Sequence, residues 1–244
     1  MQILKSVKNL VILMAMADEA QPIIGQLSLT EKISETPLLP MKIFHGHFNE
    51  KNIHIIVNGA DPEHKVDCIG TVPASLSTFM AMQQFNPDLI INAGTAGGFK
   101  SQGANIGDIY LANKVQFHDH RITIPGFKEF GINESNINIQ FNSLSLENLS
   151  NKLNFKIGAI STGDSLDMSS EDKNSMETYG ACLKDMEAAG ILWVSKLYNK
   201  PTLFLKSVTD IVDDQHPTAD EFLKNLKMAS ENLSLALIKL IKCL

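Results

Sequence analysis

Three acids stand where this chain's pattern would put chemistry: Glu19 in "MADEA", Glu187 in "KDMEAAG" and Asp210 in "KSVTD". Each has an ordinary structural reading. An acid in a first helical turn is favoured by the helix dipole, which suits Glu19 and Glu187. A strand-end Asp is commonly a cap or turn residue, which suits Asp210. Their combination says more. Each acid stands at the end of a predicted element, and a glycine-dense turn, "NAGTAGGF" (92–99), follows another. Glycine there lets the backbone approach a ligand and present N–H groups, although a plain tight turn reads the same way. The turn matches neither G-x-G-x-x-G nor G-x-x-x-x-G-K-[ST], so dinucleotide and P-loop readings fail on spacing. Three acids with no metal-ligand histidine pattern suit acid/base work on a neutral, hydroxyl-rich substrate.

Two other blocks compete for attention. Gly163-Asp164-Ser165-Leu166 spells the nucleophile block of one class of serine hydrolases, and Asp213-x-x-His216 has the spacing of the rest of their triad. In those hydrolases the block lies near the N-terminus, with most of a domain before the Asp-x-x-His. Here only about 50 residues intervene, too little chain for the strands and oxyanion-hole donors such a site needs. Ser165 is not read as a nucleophile. His45/His47 and His118/His120 form two H-x-H pairs, but no third ligand follows at a sensible spacing, so no metal is expected.

The elements that must position the acids alternate along the chain. Apolar runs at 10–16, 53–59, 88–94, 109–115, 156–161 and 202–208 read as buried strands. Residues 66–85 read as a helix if Pro73 sits in its first turn, and 186–199 as another, closed by Pro201. Residues 218–244 form a long amphipathic helix pattern with Thr218 as N-cap and Glu221 completing a capping box. The stretch 118–138 reads as a surface excursion. "NLVILMAMADEA" mimics a signal peptide but suits a first strand better, because its apolar run is short. Alternation of this kind predicts an α/β fold, one domain over 1–244, with a central mixed or largely parallel sheet between helical layers. Ligands of such sheets bind at the carboxyl ends of the strands, where all three acids fall.

Composition narrows the function classes. A net charge of −6 and a single arginine, Arg121, argue against nucleic acid, which needs a clustered basic face. No run approaches the ~18 apolar residues of a membrane span. Cys68, Cys182 and Cys243 are odd in number and far apart, as in reduced thiols of a cytoplasmic protein.

The segments "AMADEA", "IGTVPAS", "INAGTAGGFK", "GANIGD", "FHDHRI", "STGDSLDMS", "LKDMEAAG", "LKSVTDIVD" and "PTADEF" occur in order over nearly the whole chain. Together they resemble the plant-type methylthioadenosine/S-adenosylhomocysteine nucleosidases of the nucleoside phosphorylase family. The resemblance implies a single-domain three-layer sandwich and hydrolysis of the N-glycosidic bond of a 5'-thioadenosine, a step of methionine salvage, with no metal or organic cofactor. It implies Asp210 as general acid toward adenine N7, oriented by Thr209, and Glu19 as the base that activates water. Glu187 would grip the ribose hydroxyls, with Met186 beneath the sugar and the backbone of Lys184 and Asp185 close by. Thr95 and Gly97 would line the ribose side, and Leu166 the purine.

The same fold serves phosphorylases, whose phosphate cradle is hard to build with one arginine and a carboxylate at position 19. Water is the expected nucleophile; a phosphorylase or a catalytically silent nucleoside-binding protein are the other readings. The resemblance also implies a homodimer, with residues near Phe117–Phe127 reaching the neighbouring site. His120, Thr123 and the loop 58–67 depart from the plant pattern, in segments that line the 5'-thioalkyl pocket of the family.

Overall fold

The computed structural model describes residues 2–4, 6–32, 38–141, 144–214 and 217–244. In chain order its elements begin β1 (Gln2–Leu4), β2 (Asn9–Met14), α1 (Ala17–Gln26), β3 (Thr30–Lys32), β4 (Lys42–Phe48) and β5 (Lys51–Val57). Then come α2 (Thr71–Phe85), β6 (Leu89–Gly98), β7 (Ile109–Phe117), α3 (Phe127–Ile132), β8 (Ser135–Asn136), β9 (Ile139–Phe141) and β10 (Leu144–Ser145). The rest are α4 (Leu146–Leu153), β11 (Lys156–Thr162), α5 (Ser170–Tyr179), β12 (Ala181–Asp185), α6 (Ala188–Leu197), β13 (Thr202–Ile211) and α7 (Thr218–Cys243).

The main sheet runs β12-β11-β7-β13-β6-β2-β5-β4-β3 and is mixed, as the alternation predicts. β2 lies parallel between β5 and β6, so the apolar N-terminal run is a central strand. β13 is parallel to β6 and antiparallel to β7. A further antiparallel pairing of Leu183 and Lys184 in β12 with Gly98 and Gly97 in β6 curls half of the sheet into a closed ring. That closure draws the carboxyl ends of β6, β11, β12 and β13 together. Helices α1, α4 and α7 pack as one layer, and α2 and α6 as another. β13 is buried along its whole length, with Phe204 and Leu205 fully covered, as the near-continuous apolar runs of a doubly covered sheet require.

Two boundaries differ from the sequence expectation. The helix predicted from residue 66 starts at Thr71, which leaves Pro73 in the first turn, where its missing N–H costs nothing. Residues 66–70 stay outside the helix, where Gly70 N–H donates to Glu187 and, at the helix start, Thr71 N–H donates to Asp164. Thr218 is not the N-cap of α7. Pro217 holds that position, and Thr218 is the first helical residue. The Glu221 carboxylate accepts the N–H of Ile211 at 3.0 Å instead of closing a capping box, so it ties α7 to the end of β13.

Gly59 turns the chain from β5 toward the loop 60–70. Its φ is +81°, and a Cβ there would stand 1.7 Å from the Pro40 carbonyl oxygen. Backbone cannot yield as a side chain does. Gly59→Ala is therefore expected to destabilise the protein by more than ~1 kcal/mol, read as a fall in the urea midpoint without a change in slope.

Candidate active site

A cavity of about 310 Å³ opens where those strand ends meet. Each of the ten residues predicted for the site lines it: Glu19, Thr95, Gly97, Leu166, Lys184, Asp185, Met186, Glu187, Thr209 and Asp210. The cavity wall also takes in Ala15, Met16, Val66, Asp67, Ile69, Ala96, Val212, Thr218 and Phe222, which the sequence reading did not select. Most of these are apolar, and apolar type alone does not separate a wall from a core.

Glu19 sits in the first turn of α1 and is buried. Its Oε1 accepts both the N–H (2.6 Å) and the hydroxyl (2.7 Å) of Thr95, and its Oε2 accepts the Met16 N–H at 3.2 Å. The helix-start role and the pocket role therefore coexist in one side chain. Burial raises its pKa, while the Thr95 donors and the Lys206 charge pull the other way. Three donors favour the anion, and the raised pKa makes that anion a stronger base.

Asp210 is differently placed. β13 carries a bulge against β6, with Val208 opposite Ala96 and Asp210 opposite Gly97, so Thr209 is the extra residue. A bulge re-aims side chains, and here it turns Asp210 into the cavity. Oδ1 accepts the Thr209 hydroxyl at 2.7 Å, while the buried Oδ2 has no partner among the described residues. Burial raises its pKa as well, and the positive charge of Lys184 opposes the rise. A carboxyl with one bare, desolvated oxygen is suited to hold a proton there.

Glu187 lies at the start of α6 without capping it. That task belongs to Asp185, whose Oδ2 accepts the Ala188 N–H at 3.0 Å and whose Oδ1 accepts the Thr162 hydroxyl at 2.6 Å. Asp185 thus meets the cavity as wall and cap, its carboxylate already engaged. Glu187 is free to face the cavity, with Oε1 accepting the Gly70 N–H at 3.0 Å. Burial pushes its pKa up to about 7, opposed by Lys206 and reinforced by Asp185 and Glu19. Lys184 donates to the carbonyls of Ser165 and, at 3.0 Å, Leu166, so it pins the 163–168 loop as a wall.

The competing motifs do not assemble. Ser165 is exposed, Asp213 accepts the backbone N–H groups of Lys100 and Ser101, and His216 lies outside the described residues. His118 Nδ1 lies 3.2 Å from Ser161 Oγ and His120 Nδ1 3.1 Å from the Gly131 carbonyl, while His45 and His47 stand on β4. Arg121 binds Asp172 and Ser169 outside the cavity. One buried charge beside the site was missed. Lys206, fully buried in β13, pairs with Asp185 at 2.8 Å behind the cavity. A lysine inside "TLFLKSV" is the signal that could have found it, because a buried ammonium demands acids.

Fold and site together are those of the phosphorylase superfamily, whose family model matches residues 9–242. The 5'-methylthioadenosine nucleosidase of Arabidopsis thaliana is 44% identical over 243 residues, covering 98% of this chain and 88% of that protein. A 5'-methylthioadenosine/S-adenosylhomocysteine nucleosidase of the same plant is 42% identical, covering 98% and 95%. The apo structure of the Arabidopsis 5'-methylthioadenosine nucleosidase superposes with a TM-score of 0.92 at 43% identity, over 98% of this chain and 96% of that one. Futalosine hydrolase of Helicobacter pylori shares the fold, with a TM-score of 0.78 at 21% identity over 98% and 99%. The chain belongs to the phosphorylase superfamily, in its branch of 5'-methylthioadenosine/S-adenosylhomocysteine nucleosidases.

Gly97 is the sharpest steric demand of the site. A Cβ there would lie 2.8 Å from Asp210 Oδ2 and 2.3 Å from Val212 Cγ1. Gly97→Ala must displace the Asp210 carboxyl, and a shift of about 1 Å is expected to cost roughly 10²-fold in kcat, measured beside an unchanged circular dichroism spectrum.

Proposed function

We propose that this chain hydrolyses the N-glycosidic bond of 5'-methylthioadenosine, giving adenine and the 5-thioribose product, and acts on S-adenosylhomocysteine through the same bond. The observation that carries the mechanism is the unequal dressing of two carboxyls in one cavity. Glu19 accepts three hydrogen bonds and Asp210 only one, leaving Oδ2 bare. Adenine leaves poorly as an anion. Protonation of its N7 by Asp210 turns it into a neutral leaving group, and the ribosyl cation that develops is met by water. Glu19, with a lone pair of Oε2 still free, takes that water's proton. Glu187, near neutrality, can donate to or accept from the ribose hydroxyls. Met186 packs under the sugar and Leu166 beside the purine. These roles make 1–244 one catalytic unit.

Water rather than phosphate fits the charge of the cavity. A phosphate dianion at the sugar would face Glu19 and Glu187, while Arg121 is engaged by Asp172 elsewhere. Lys184 and Lys206 are committed to carbonyls and to Asp185. We place the enzyme in the cytoplasm and in methionine salvage. No helix among the described residues is long and apolar enough to cross a membrane.

The chain also fits a homodimer. Val72, Leu76 and Phe79 are exposed along one face of α2, and Trp193 and Leu197 are exposed on α6, against which α2 packs. Ile124 and Phe127 in the 117–127 segment, with Phe130 just beyond it, are exposed apolar side chains as well. Clustered exposed apolar side chains of this kind mark interaction surfaces. Leu197→Glu is expected to convert a dimer to monomers in sedimentation velocity; an unchanged coefficient would refute this face as the contact.

The activity is tested by chromatography of adenine released from 5'-methylthioadenosine, S-adenosylhomocysteine and adenosine, with and without phosphate. Phosphate-independent release is expected. Glu19→Gln and Asp210→Asn should each lower kcat by ~10²–10⁴-fold with folding intact. The reading fails if release requires phosphate, or if either variant turns over at the parent rate. Because Asp210 must be protonated and Glu19 ionised, kcat/KM should fall on both sides of its optimum, above the raised pKa of Asp210 and below that of Glu19.

A further inference from the structure

Behind the cavity lies a cation that the mechanism above does not use. Lys206 is 1% exposed, in the middle of a strand whose other residues are also buried. Its ion pair is with Asp185 of β12, at 2.8 Å. The charged groups that face it are Asp185, Glu187 at the start of α6 and Glu19 of α1. Glycine 94 of β6 locates the last of these. A methyl on Gly94 would stand 3.5 Å from Lys206 Nζ and 3.4 and 3.6 Å from the two carboxylate oxygens of Glu19. Ammonium and carboxylate therefore gather over one backbone position.

One ammonium thus serves three acids. A buried carboxylate without a nearby cation takes up a proton, because desolvation penalises the charged form. Glu19 and Glu187 are both buried, so their charge in the cavity needs a source of positive potential, and Lys206 is the cation gathered among them. Asp185 has the opposite effect. It anchors Lys206 in place, and its own charge draws on the same ammonium.

We propose that Lys206 is a positioning residue for glycosidic hydrolysis: anchored by Asp185, its ammonium lets Glu19 and Glu187 carry charge in a dry cavity at neutral pH. This rests on the assignment of Glu19 as the base that activates water. The direction of the pKa values agrees, since Lys206 opposes the rise that burial imposes on both glutamates. Lys206 itself is disfavoured by burial, yet is held above its ordinary value by the three acids, so it stays protonated.

The test uses opposed signs. Lys206→Met should move the acid limb of kcat/KM up by about one pH unit, a tenfold loss at fixed pH on that limb. Asp185→Asn should move it down, because the ammonium is then shared between two acids. A role confined to packing would lower the plateau and leave the limb in place. The same titrations are read without turnover, by 13C NMR of glutamate-labelled protein, with Glu19→Gln and Glu187→Gln assigning the two resonances. Opposed carboxyl shifts support the proposal even if no adenine is released, an outcome that would remove the nucleosidase reading instead. Adenine release with unmoved carboxyl titrations in either folded variant overturns the role of Lys206 alone. Asp185→Asn keeps the test decisive should Lys206→Met fail to fold.

Discussion

The site depends on holding carboxyls in a space from which water has been largely removed. Glu19, Asp185, Glu187 and Asp210 are all buried within one cavity wall, and burial alone would neutralise them. Each is given a different environment. Asp185 takes the ion pair and the cap of α6, Glu19 takes three donors, Glu187 takes one backbone N–H, and Asp210 keeps an oxygen bare. Four chemically similar groups thereby acquire four different sets of partners, and a reaction that needs an acid and a base together requires such a difference in environment.

The backbone that imposes these environments is built from pairing irregularities. An ideal parallel sheet would leave β12 and β6 on separate paths. Their short antiparallel contact closes the ring and sets Lys184 beside Gly97. The bulge at Thr209 then turns Asp210 inward, at a point where β6 offers glycine and no side chain. Strand pairing and site chemistry share the same residues here, so a change at Gly97 acts on both.

Much of this was legible in the sequence, for identifiable reasons. The six apolar runs found their strands because a sheet covered on both faces writes near-continuous hydrophobic letters. Glu19 and Asp210 stood out at the ends of two of those runs, and Glu187 at the start of an apolar helix pattern. Strands β3, β4 and β12 were not expected. β3 is a three-residue edge strand and β4 its neighbour, both with several exposed positions, and β12 is five residues whose Lys-Asp ending reads as a loop. Thr218 and Glu221 had the letters of a capping box, but the free N–H at the end of β13 competed for the same carboxylate. Local motifs lose where a tertiary donor is nearer. Lys206 was hidden for a related reason. Its meaning lies in Asp185, twenty-one positions away, and spacing along the chain carries no record of that contact.

The "GDSL" letters illustrate the same rule from the other side. Asp164 accepts both the N–H and the hydroxyl of Thr71 at 2.6 Å, and its own N–H donates to Asp119. Gly163 packs so closely on His118 that a Cβ would come within 2.3 Å of Nε2. Ser165 and Leu166 offer their carbonyls to Lys184, whose position on β12 is fixed by the closing of the ring. Each letter of the block is accounted for by holding one wall of a cavity, and the only acid it contains faces a helix N-terminus. Among the described residues no base is hydrogen-bonded to the serine, whereas Asp210, 45 positions further along the chain, has a bare oxygen and a hydroxyl beside it. Chemistry here follows the carboxyls at the strand ends, whose partners differ from one to the next, and Asp210 alone of them keeps a buried oxygen unsatisfied among the described residues.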